Sequence, residues 1–184
     1  MEYRFDFDDQ LEDLPIAFDL DAVAQLFQQK LFGLASAVKV LRLQDAKYHP
    51  SKRCVTTYEV VVDRPGEPPF NTICVLEFTP DGVHPRVYLD DTRMPALSQA
   101  TDPVEMHRRI CQALALDENV ARMLNIEPVR YKPGLHCVFR YTIGTPSGKQ
   151  VFYGKLFNGP IDDLMINITA LHQESETNPE MPRI

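Results

Sequence analysis

Arg130-Tyr-Lys-Pro-Gly-Leu-His-Cys-Val-Phe-Arg-Tyr141, a polar turn, and then Val151-Phe-Tyr-Gly-Lys-Leu-Phe157 form the stretch from which the fold can be read. Apolar positions alternate with polar ones on either side of Gly144-Thr-Pro-Ser-Gly148, which predicts two strands joined by a hairpin. The second strand carries Lys155 on the same face as Val151, Tyr153 and Phe157. A strand covered on both faces normally excludes an ammonium, because desolvating it costs several kcal/mol unless an anion meets it. Read as such a strand, this one requires an anionic partner for Lys155.

The same pattern stands earlier in the chain. Tyr48-His-Pro50-Ser-Lys-Arg-Cys54-Val55-Thr-Thr-Tyr58 repeats Tyr131-Lys-Pro133-Gly-Leu-His-Cys137-Val138-Phe-Arg-Tyr141, so Tyr-x-Pro-x-x-x-Cys-Val-x-x-Tyr occurs twice, 83 residues apart. Each copy is followed by a loop and a second apolar strand, Asn71–Phe78 in the first and Gln150–Phe157 in the second. In this alignment Leu76 of the first copy stands where the second has Lys155. The expectation is α+β: two related antiparallel β-sheet units with flanking helices.

A chain of 184 residues, 44% hydrophobic and 24% charged, suits one large soluble domain or two small ones. No run approaches the length of a membrane span, and the acidic start lacks the basic and apolar segments of a signal peptide, so a cytoplasmic location is expected. The formal charge of −7 is concentrated in residues 1–21, where eight acids face Arg4 alone. The rest is near neutral, and neither nucleic acid nor an anionic membrane is expected as a partner. Cys54, Cys74, Cys111 and Cys137 show no metal spacing and read as buried reduced thiols.

Taken in order, residues 1–19 read as an acidic leader that could dock Phe5, Phe7 and Leu11 on the body. Asp19 caps a helix over Leu20–Phe32, stopped by Gly33. Strands follow over Val38–Leu43, Cys54–Val62, Asn71–Phe78 and Val83–Leu89, giving a first unit over 20–100. Residues 90–101 break the strand pattern and read as a connector. Asp102-Pro-Val-Glu105 is a strong helix start, with acid cap, proline first and glutamate three residues after the cap. Helices over 103–114 and 118–124, strands over 127–131, 136–143 and 150–157, and a last amphipathic helix over 161–172 complete a second unit over 101–184. Edge strands of two small sheets could pair with each other or with a second chain.

Arg130, Tyr131, Pro133, Gly134, Arg140, Tyr141 and Gly154-Lys155-Leu156, with the helix that follows, make residues 125–184 resemble the N-terminal lobe of the aminoglycoside phosphotransferase-like small-molecule kinases. Residues 20–100 would then match, more loosely, the cap that maltokinase-like members place before that lobe. The resemblance implies ATP with Mg as cofactor, Lys155 as the contact to the α- and β-phosphates, and the loop Lys132-Pro133-Gly134-Leu135 as nucleotide cover. It also implies a carboxylate on the helix after the third strand, for which Asp163 is best placed. What it does not find here is the His-x-Asp-x-x-x-x-Asn loop and the later metal-binding aspartate; His172-Gln-Glu174-Ser-Glu-Thr-Asn178 has the wrong residue and spacing. The expected function is therefore the nucleotide-covering part of such a kinase, with small-molecule acceptor and catalysis in a lobe not contained in this sequence. The alternative is a non-catalytic binding or regulatory module on the same scaffold. No Ser/His/Asp, Cys/His or paired-carboxylate arrangement points to another enzyme class.

Overall fold

A computed structural model describes residues 8–159. The helix α1 (Leu20–Phe27) starts where Asp19 accepts the backbone N–H of Asp21 and Ala22 at 3.1 and 3.0 Å, and continues as a π-turn over Gln28–Phe32 before Gly33 turns the chain at φ +83°. Four strands follow as an antiparallel meander: β1 (Ala37–His49), β2 (Arg53–Asp63), β3 (Phe70–Thr79) and β4 (Gly82–Val87). A short 3-10 turn, Tyr88–Asp90, leads to the helical turn α2 (Leu97–Ala100) and to α3 (Pro103–Ala113). Asp102 caps α3 by accepting from Val104 and Glu105 at 2.8 and 3.0 Å, with proline in the first turn as expected. The second meander is β5 (Arg122–Lys132), β6 (His136–Thr145) and β7 (Gly148–Phe157). The architecture is α+β with two antiparallel sheets and few helices.

The strand pairing reproduces the repeat. Tyr48 pairs with Cys54 and His49 with Arg53, as Tyr131 pairs with Cys137 and Lys132 with His136. A bulge between Val40 and Arg42 has its counterpart between Met123 and Asn125. The likeness runs well upstream of the sequence motif. Tyr58 donates its hydroxyl to the Ala17 carbonyl and Tyr141 donates to the Ala100 carbonyl, each bond 3.0 Å and buried. Asp8 accepts from the Tyr48 hydroxyl at 2.9 Å and from the Ser51 backbone N–H at 2.5 Å; Asp91 accepts from the Tyr131 hydroxyl at 2.5 Å and from the Gly134 N–H at 2.6 Å. Every pair of equivalents stands at the same offset as the tyrosines of the motif. Ser51 and Gly134 both take positive φ, 54° and 68°, because the turn must aim that N–H back at the carboxylate.

Two cores result. In one, Val23 and Phe27 of α1 pack with Leu11 and Ala17 on the β1–β3 face that bears Cys54, Tyr58, Val60, Cys74 and Leu76. In the other, Ile110 and Cys111 of α3 join Met94, Leu97 and Ala100 against Tyr131, Cys137, Phe139 and Tyr141. Ile73 and Val75, on the opposite side of β3, belong to this second core, so the first sheet is covered on both faces and the second unit forms its outer cover. Of the phenylalanines and leucines in the acidic start, Leu11 is docked as expected, while Phe5 and Phe7 lie outside the described residues.

Several expectations are corrected. The helix expected over 118–124 is replaced by a turn at Asp117 and then β5, because Arg122 and Met123 pair with Gly144 and Ile143 and the ladder overrides local propensity. The connector expected over 90–101 contributes Asp91, Met94, Leu97 and Ala100 to the interior. The strand expected to reach Leu89 ends at Val87, and Tyr88 turns its ring into the second core. The helix expected over 161–172 lies outside the described residues.

Asp91 is the most buried of the ionised groups in this frame, its side chain 3% exposed. Burial alone would raise its pKa, but donation from Tyr131, from the Arg93 side chain and backbone, and from the Gly134 N–H outweighs it and holds the carboxyl at about 2. With an ordinary value of 3.8, Asp91 contributes on the order of 2 kcal/mol of stability above pH 4. Because the folded pKa is the depressed one, that contribution is lost as pH falls from about 4 to about 2. Asp91→Asn should therefore lower stability at pH 7 by roughly 2–4 kcal/mol in urea unfolding and flatten the acid limb of the stability profile, while Asp8→Asn, at the exposed equivalent, has a much smaller effect.

Candidate functional site

The outer face of the second sheet carries Lys155. Burial alternates along β7, with Phe152, Gly154 and Leu156 turned inward and Val151, Tyr153 and Lys155 outward. Gly154 is held to glycine by contact, since a Cβ there would stand 2.8 Å from the Tyr141 ring. The premise that Lys155 is enclosed on both sides is thus corrected: among the described residues β7 is an edge strand with one exposed face, and the Lys155 ammonium lies 4.6 Å from the centroid of the Phe157 ring. The register also corrects the alignment of the two copies. Val55 pairs with Glu77 as Val138 pairs with Lys155, so Glu77 occupies the place of Lys155, and Leu76 that of Gly154.

Across the same face, Lys155 stands beside Val138, which pairs in turn with Arg130; His136 pairs with Lys132 on one side and Phe157 on the other. Desolvation lowers the pKa of His136, and the charges of Lys155, Lys132 and Arg130 lower it further. Three cations therefore converge on one imidazole, and among the described residues none of the three forms an ion pair. Glu127, the carboxylate on this sheet, is already engaged by Arg140 and by Asn71, the latter at 2.9 Å. Val151 and Tyr153 are 49% and 66% exposed, an open apolar margin beside the cations.

Lys132, at the end of β5 beside His136, also lines with Pro133, Gly134 and Leu135 a cleft of about 640 Å³ between the two units, whose other wall is the outer face of the first sheet. This turn is fixed from two sides. Asp91 accepts from the Gly134 N–H, and Asn158 donates its side chain to the Gly134 carbonyl and its backbone N–H to the Leu135 carbonyl, each at 2.9 Å. The Gly134 N–H is consequently taken and does not face a ligand. A Cβ at Gly134 would fall 2.6 Å from the guanidinium carbon of Arg93, the end of a flexible side chain that can move aside, so it is the positive φ of 68° that favours glycine here. Lys132 and Lys155 thus both act on His136, but the turn Lys132–Leu135 lines the cleft and Lys155 does not, and Asp163 lies outside the described residues.

The sequence reading did not anticipate Asp91 and Arg93, nor the polar cluster Thr57, Glu77 and Arg86 on the first sheet. A signal for Asp91 was present: Asp8-x-x-Leu11-x-x-Leu14 and Asp91-x-x-Met94-x-x-Leu97 share the offset of the tyrosine motif. Among the described residues no group of three or more His, Cys, Asp or Glu could hold a metal ion, and no helix is long and apolar enough to cross a membrane. Comparison with family models, with characterised proteins and with solved structures returned no match to this chain.

The electrostatic arrangement predicts a measurable shift. Removing one of the converging cations in Lys155→Ala should raise the His136 pKa, read by NMR titration of the imidazole, and Lys132→Gln should do the same. An unchanged His136 titration in both variants would contradict the proximity of these charges.

Proposed function

We propose that the outer face of β5–β7 faces the phosphates of a nucleotide, and that the chain is the nucleotide-covering portion of an aminoglycoside phosphotransferase-like small-molecule kinase. The supporting observation is the convergence of Lys155, Lys132 and Arg130 on His136 with no carboxylate of the described residues to neutralise them. A polyanion is the ligand such a face lacks, and phosphate oxygens accept charge-assisted hydrogen bonds of the strong class. Exposed Val151, Tyr153 and the β6 residue Val138 offer an apolar surface on the same side, suited to a planar base. The carboxylates that would hold magnesium and orient an acceptor hydroxyl are not among these residues, so the proposal assigns this chain phosphate contact and no chemical step.

A second reading, a binding or regulatory module without catalysis, draws on a specific observation. The equivalent face of the first sheet, through Ile73 and Val75, is covered by the second unit, so a face of this kind can bind protein.

Thermal melting with ATP separates the two readings. A ligand that binds only the folded state at about 100 times its dissociation constant adds roughly 2.7 kcal/mol. The expected outcome is stabilisation by ATP in the wild type that disappears in Lys155→Ala, whose unliganded melting temperature is unchanged because its side chain is exposed. ATP affinity that survives Lys155→Ala would overturn the assignment.

A further inference from the structure

The cleft between the units contains a buried polar group that the fold leaves unused. Thr57 is 1% exposed, lines the cleft, and its hydroxyl has no hydrogen-bond partner among the described residues. Elsewhere in this sheet the buried hydroxyl of Thr56, one residue earlier and on the opposite face, donates to the Leu76 carbonyl. A buried hydroxyl without a partner is unfavourable unless something that enters the cleft completes it.

Charge surrounds this hydroxyl in a definite order. Pairing across the sheet sets Asp45, Thr57, Val75 and Arg86 in one row and Lys47, Val55 and Glu77 in the next. Glu77 is shared between two guanidiniums, Arg86 at 3.2 Å and Arg53 at 3.6 Å, so this triad keeps one positive charge. On the facing wall, Asp91 and Arg93 neutralise each other and Asp91 is saturated by Tyr131 and Gly134. Lys47 and Lys132 form no ion pair among the described residues, and neither do Asp45 and Asp90. The lining is left with one net positive charge and with carboxylates free to accept from hydroxyl groups.

We infer that this cleft is a binding site, distinct from the Lys155 face, for a small hydroxylated anion of the sugar-phosphate class. Arg53, Arg86 and Lys47 take the phosphate, Thr57 completes its hydrogen bonding on the ligand, and Asp45 accepts from ligand hydroxyls. A volume of about 640 Å³ accommodates a monosaccharide phosphate and is within the range of small-molecule sites.

Titration calorimetry with glucose 6-phosphate, inorganic phosphate and glucose tests this on the full chain. The expected result is saturable binding of glucose 6-phosphate, weaker binding of phosphate, and none of glucose. Thr57→Val should weaken glucose 6-phosphate roughly tenfold and Lys47→Gln with Arg53→Gln by more than that, while Lys149→Gln, exposed at the start of β7 and outside the cleft lining, leaves it unchanged. Unliganded Thr57→Val should melt no lower than the wild type, since it removes a hydroxyl that makes no bond. No saturable binding by about 10 mM would overturn the site. Binding lost in Lys155→Ala but kept in Thr57→Val would move it to the other face and overturn it equally. Phosphate binding as tightly as glucose 6-phosphate would overturn the sugar assignment, and a lower melting temperature for Thr57→Val would show that the hydroxyl has a partner in the fold.

Discussion

A carboxylate reaching across the chain to close a turn is the constraint on which each unit is built. Asp91 sits at the start of its unit and accepts from Tyr131 at the end of β5 and from Gly134 in the turn beyond it. Burying an ionised carboxylate is expensive, and the cost is offset only when several donors converge on it. That requirement fixes three things together: the extended reach of β5, the left-handed residue in the turn, and the placement of Met94 and Leu97 just downstream, where they enter the core. Asp8, Tyr48, Ser51 and Leu11 solve the same problem in the first unit, with the carboxylate nearer to solvent.

The two copies diverge where their surroundings differ. The outer face of the first sheet is roofed by the second unit, and there Val75 and Ile73 are apolar and Glu77 is held between arginines. The outer face of the second sheet is open among the described residues, and there the equivalent positions are Tyr153, Val151 and Lys155. Lys155 thus needs no enclosing strand to explain it; an exposed ammonium on an edge strand is ordinary, and what gives it interest is the company of Lys132 and Arg130 without a carboxylate.

The strands and caps were legible because they depend on local chemistry: alternation in β2, β3 and β6, Asp19 and Asp102 as caps, Pro103 in the first turn of α3. The tyrosine motif identified the repeat correctly, and its register is reproduced bond for bond at the turn. The equivalence of Lys155 with Glu77 was not legible, because the first unit joins its second and third strands by a longer loop than the hairpin Thr145–Gly148 and counting along the chain slips the alignment by one. Asp91 was read as part of a connector, since aspartate before Thr-Arg-Met-Pro satisfies every local rule for a loop; its role rests on a tyrosine 40 residues away, a separation that periodicity does not encode. The cleft was hidden for the same reason, as its two walls come from different units.

The charge reversal between the two sheets has a consequence for assembly. A face that docks the next unit, repeated unchanged on that unit, would accept a further molecule in the same head-to-tail sense, and such contacts do not close but grow into filaments. Substituting Lys155 for Glu77, Arg140 for Thr57 and Tyr153 for Val75 makes the second face a poor copy of the first, with an ammonium where the docked unit meets a carboxylate. Among the described residues the second face therefore differs from the first in charge and size at the positions that meet the docked unit, as the terminal repeats of a solenoid differ from its inner ones.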